Sequence, residues 1–142
     1  MKIKEENSIL KKENYAQTEE NMINVLLVYK NDEKRILLDG KKEVRVNDIM
    51  YIEVDKPYIV LCCTNGNNEC LRGSLIQFEN KIGLPFARAG RKYLVNLEHV
   101  RKVTEYVVLD NDMRIKLSKA GKVELKSVFE DYLLKECERQ SI

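Results

Sequence analysis

The chain has 142 residues and a formal net charge of +2, with 34% charged and 44% hydrophobic residues. That length holds one domain with a real core plus a tail, and the composition excludes wholesale disorder and collagen-like repeats. No apolar run reaches the roughly 20 residues of a membrane helix, and the start Met1-Lys2-Ile3-Lys4-Glu5-Glu6 lacks the apolar core of a secretory signal, so a cytoplasmic protein with reduced thiols is expected.

In chain order, residues 1–22 read as a charged N-terminal arm or helix, rich in Lys, Glu, Asn and Gln. Its apolar residues Ile3, Leu10 and Met22 do not sustain a heptad, which argues against a coiled coil. Residues 23–142 have a different texture, short apolar runs separated by turn residues, and are expected to form the domain.

The first strand is predicted from Ile23 to Tyr29, with Asn31-Asp32 as the turn after it. A hairpin follows, with strands at Arg35–Leu38 and around Val44 to Val46, because Asp39-Gly40 tolerates the positive φ of a tight turn. Further strands are expected at Ile49–Glu53, Tyr58–Thr64 and Cys70–Arg72, interrupted by Asp55-Lys56-Pro57 and by Asn65-Gly66-Asn67-Asn68. A short helix near 74–82 is signalled by the capping-box spacing of Ser74 and Gln77 and by the shared face of Leu75, Phe78 and Ile82. Strands resume at Tyr93–Val95, Val103–Leu109 and Met113–Leu117. Ser118 can cap a C-terminal helix whose stripe Leu125, Val128, Phe129, Tyr132 and Leu133 should close over a sheet. The fold class is mainly β.

Little here could build a catalytic centre. The single histidine, His99, lies between strands, where a structural imidazole is the commoner role. Cys62 and Cys63 are adjacent, so on a strand they point to opposite faces, and Cys70 and Cys137 complete no metal-ligand spacing. No GxSxG and no phosphate-binding glycine loop is present. A binding protein that needs no cofactor and no metal is expected, not an enzyme.

Charge is unevenly spread. Between residues 88 and 122 there are nine Lys or Arg against four acids, a distribution suited to a polyanion. Within it, Phe86-Ala87-Arg88-Ala89-Gly90-Arg91-Lys92-Tyr93-Leu94-Val95-Asn96 pairs apolar anchors with guanidinium groups that can make forked bonds to phosphate or guanine.

This stretch resembles the signature of the LytTR DNA-binding domain, Phe-x-Arg-x-His-Arg-x-Tyr-x-Val-Asn, with Phe86, Arg88, Arg91, Tyr93, Val95 and Asn96 in register. The resemblance covers about residues 35–134. Asp48 to Glu53 is similar to the family's strand ending in Glu, Gly73-Ser74-Leu75 to its helix start, and Leu97 to Val100 to the stretch after Val-Asn. Gly90 stands where the family usually has histidine. The resemblance implies an elongated, multi-stranded β fold that reads double-stranded DNA through loops in successive major grooves, as a stand-alone transcriptional regulator acting as a dimer on repeated half-sites.

Carried over by position, the DNA-facing residues are Lys56, Tyr58, Arg88, Arg91, Lys92, Lys119 and Lys122. Arg91 is the expected base reader and Lys119 the next, Tyr58 a groove contact, and Lys56, Arg88, Lys92 and Lys122 phosphate contacts. Tyr51, Glu53, Asn96 and His99 are expected to be structural. No receiver domain fits ahead of the matched region, so control is expected from elsewhere, for instance a separately encoded membrane-protein inhibitor. The alternative is a protein-interaction module on the same fold that has lost specific DNA binding, motivated by Gly90.

Overall fold

The computed structural model describes residues 23–140, which form eleven strands and two helices. The N-terminal arm expected at 1–22 lies outside the described residues. The mainly β expectation, with a short helix and a C-terminal helix, holds.

Three antiparallel sheets are present among the described residues. The first is β1 (Val25–Lys30), β2 (Glu33–Leu38) and β3 (Lys42–Arg45), in that order. Its turns are set by residues that accept the left-handed region: Asn31 and Asp32 have φ 53° and 63°, and Asp39 and Gly40 have φ 52° and 67°. The central sheet has five strands in the order β6 (Glu69–Arg72), β5 (Tyr58–Cys63), β4 (Ile49–Asp55), β8 (Tyr93–Asn96) and β7 (Phe86–Arg88). The third is β11 (Arg114–Lys116), β10 (Tyr106–Leu109) and β9 (Val100–Val103).

Alternation along the central strands divides the interior in two. Ile52, Ile59, Leu61, Leu94 and Phe86 pack with the first sheet and with α1 (Leu75–Ile82). Ser74 caps that helix in a complete capping box with Gln77. Phe78 meets Phe86 edge-on, with ring centroids 5.4 Å apart. On the opposite face Met50, Ala87, Ala89 and Val95 pack with the third sheet and with α2 (Lys119–Gln140). A register shift between Ile49 and Tyr51 lets Met50 and Tyr51 both serve this second cluster.

Three expectations need correction. The run Val103 to Leu109 is not one strand: Thr104-Glu105 turns the chain, so that Val103 pairs with Val107 across a hairpin. No Gly or Pro marks this turn; Thr104 makes it by donating its N–H to the Tyr106 carbonyl at 2.8 Å. Phe86–Arg88, expected to lie outside any strand, forms β7 and pairs with β8 in a hairpin. In α2, Leu125 is buried and Val128, Phe129 and Tyr132 are packed, but Leu133 is 46% exposed. At about 100° per residue Leu133 lies roughly 80° around the helix from Leu125, at the edge of the stripe.

Candidate nucleic-acid interface

Lys56 and Tyr58 flank Pro57 in the turn from β4 to β5, and both are exposed. Arg91 and Lys92 occupy the turn from β7 to β8 and are also exposed. Because β4 and β8 are antiparallel neighbours, with Glu53 opposite Tyr93, these two turns emerge at the same end of the sheet. The Val54 N–H ties them by donating to the Lys92 carbonyl at 3.0 Å. Their strand pairs are centred about two strand spacings apart, or roughly 10 Å.

Arg72 joins them. It ends β6 opposite Tyr58, is exposed, and has no ion pair among the described residues. Sequence reasoning missed it because a cation at a strand end gives no local sign of which turn lies beside it. Lys56, Arg91 and Lys92 likewise have no ion pair among the described residues, and Asp55 is the acid within the two turns.

Arg88 is held differently. It ends β7 two residues after Phe86, hence on the α1 side of the sheet, and its Nε donates to Glu79 Oε1 at 3.2 Å. Its Nη1 donates to the Arg91 carbonyl at 3.3 Å. Between them Gly90 has φ 76° and open space where a Cβ would stand, so the turn needs the left-handed region but not a close approach.

Lys119 is the first residue of α2 and is exposed, whereas Lys122, one turn in, is half-buried. Ser118 caps the helix, its Oγ accepting from the Gly121 N–H at 3.0 Å. Near its start α2 lies against β7: Glu124, Leu125 and Val128 line a cavity with Arg88 and Ala87. Further on, Tyr132 and Lys135 line another with Pro85 and Glu98. The helix therefore runs antiparallel to β7, with its first turn towards the Arg88 end of that strand.

Two of the residues expected to be structural, Asn96 and His99, are locked by hydrogen bonds. Asn96 is fully buried; its Nδ2 donates to the carbonyls of Val46 and Ile49 at 3.0 and 2.8 Å, and its Oδ1 accepts from the Glu98 N–H at 2.9 Å. His99 lies with Nδ1 3.0 Å from Asp110 and Nε2 2.6 Å from the Asn47 carbonyl. Burial pushes the Cys63 thiol up to about 11 and raises that of Cys62, so neither offers a ready thiolate. Among the described residues no cluster of His, Cys, Asp and Glu could hold a metal ion, and no helix is long and apolar enough to cross a membrane.

The described residues thus form a β-rich domain that presents exposed cations from two neighbouring sheet-end turns and from the start of a helix. The profile of the LytTr DNA-binding domain matches residues 39–130, and the chain belongs to that family, a family of DNA-binding regulators. Among solved structures it is similar to the LytTr DNA-binding domain of a protein described as a methyl-accepting/DNA response regulator, from Bacillus cereus. The TM-score is 0.55 at 18% identity, covering 73% of this chain and 94% of that one, a likeness of fold. No curated protein aligns closely enough with the chain to count as a match.

Proposed function

We propose that the chain is a sequence-specific transcriptional regulator that reads double-stranded DNA with the β4–β5 turn, the β7–β8 turn and the start of α2, as a dimer on repeated half-sites. One observation carries this reading: Lys56, Arg72, Arg91 and Lys92 share one end of the central sheet, beside the exposed Tyr58, with no ion pair among the described residues. Cations left unpaired on one edge are free to exchange their counterions for phosphates.

The spacing sharpens the expected geometry. Two turns roughly 10 Å apart fit within one major groove, about 12 Å wide, and are too close to enter two grooves that repeat about every 34 Å. The pair therefore acts on one groove and its rim, and the start of α2 is the element that reaches further. Arg91 reads a base with its fork, Lys119 is the second reader, and Tyr58 packs in the groove. Lys56, Lys92 and Lys122 take phosphates, with Arg72 beside them.

The test is Arg91→Ala on a duplex recovered by selection from random DNA. Affinity for that duplex should fall by about 1–3 kcal/mol, with preference relaxed at one base position, while a scrambled duplex loses far less. Unchanged affinity and preference would remove the β7–β8 turn from the interface.

A further inference from the structure

We infer that Arg88 is a positioning residue for Arg91, itself set by Glu79, and not a DNA contact in its own right. This deepens the reading above and rests on Arg91 touching DNA.

The alternation that buries Phe86 beneath α1 also turns Arg88 towards that helix, where its Nε meets Glu79 Oε1 at 3.2 Å. The other prong of the same planar group, Nη1, donates to the backbone carbonyl of Arg91 at 3.3 Å. One guanidinium thus bridges a helix carboxylate and the peptide from which the Arg91 side chain departs. Lysine, a single point of charge, cannot reproduce a two-pronged bridge of this kind.

The turn needs such a brace. Gly90 at its centre has φ 76° and open space on the side where a Cβ would stand, so the glycine itself is not packed in place. Its other backbone ties are Ala89 N–H to the Tyr93 carbonyl and Val54 N–H to the Lys92 carbonyl, both 3.0 Å, and neither fixes the carbonyl of Arg91. The Glu79 and Arg88 side chains are 34% and 36% exposed, so water competes with the pair, and its consequence lies in orientation more than in stability. Glu79 also offsets the charge that a phosphate would seek in Arg88.

The sign of one substitution separates this role from plain electrostatics. Removing a carboxylate near DNA ordinarily strengthens binding. If Glu79 orients Arg88, Glu79→Ala, which removes the acceptor along with the charge, should instead weaken binding to the selected duplex by about tenfold, the lower end of what losing a supporting hydrogen bond costs a binding group elsewhere. Its binding to the scrambled duplex should stay level or rise. Arg88→Lys should show the same selective loss with an unchanged salt slope, and both variants should melt close to the parent protein.

Glu79→Ala raising affinity for both duplexes alike would overturn the inference. So would Arg88→Lys binding like the parent while Arg88→Ala lowers the salt slope by about 1, the mark of a phosphate contact. Arg91→Ala run alongside distinguishes the two failures. Loss with Arg91→Ala but parental binding by Glu79→Ala and Arg88→Lys defeats the brace alone, and no loss with Arg91→Ala defeats the DNA reading of this turn and the brace with it.

Discussion

Strands β4 and β8 run side by side, and their two ends sit in opposite circumstances. At the end where β8 finishes and β4 begins, Asn96 bonds to Val46, Ile49 and Glu98, His99 sits between Asp110 and the Asn47 carbonyl, and the Tyr132 hydroxyl donates to Glu98 at 2.6 Å. At the other end Lys56, Arg91 and Lys92 stand exposed on turns with no ion pair among the described residues. The buried bonds of Asn96, with those of His99 and Tyr132 at the surface around them, over-determine the first end, so the second can give its side chains over to a partner. Exposed cations cost the fold little, because water and salt screen them.

The largest effect should come from breaking the locked end. Asn96→Ala strips the fully buried Nδ2 donor from the carbonyls of Val46 and Ile49, the first of which keeps the Ile49 N–H, and takes the Oδ1 acceptor from the Glu98 N–H. We expect a loss of about 3 kcal/mol and a fall in melting temperature of roughly 10 °C. A shift of only a degree or two would mean that Asn96 is replaceable, and the contrast between the two ends would lose its foundation.

A smaller cost is expected at the loop end, from backbone and not from bonding. Gly90 has room for a methyl group but lies at φ 76°. Gly90→Ala should therefore destabilise by about 1 kcal/mol through left-handed strain alone. Denaturant titration checks it; a loss as large as that of Asn96→Ala would show the turn to be built into the core.

How much of this was legible in the sequence depended on whether a feature is local. Asn31-Asp32 and Asp39-Gly40 announced their turns because few other residues accept those φ values, and Ser74 with Gln77 announced a helix start. Thr104-Glu105 hid its turn in a β-branched, apolar run that reads as continuous strand. The cations of the candidate interface could be named by residue type, but the three-residue strand Phe86–Arg88, whose alternation decides the side on which Arg88 falls, is too short to show a period of two. That Arg88 meets Glu79 there, and that Arg72 lies opposite Tyr58, depends on which elements become neighbours. No local pattern encodes that adjacency.

The smallest effect on folding is expected at Lys56, where the comparison is sharpest. It is exposed, forms no ion pair among the described residues, and sits in a turn whose backbone is tied through Val54 and Lys92 without it. Lys56→Ala should therefore change stability by less than about 0.5 kcal/mol. If Lys56 meets a phosphate, the same substitution lowers the slope of log affinity against log salt by about 1, equally for selected and scrambled duplexes. A measurable loss of stability with no change in slope would invert the assignment, making the β4–β5 turn part of the scaffold and leaving Arg72, Arg91 and Lys92 as the cations at this end that reach the DNA.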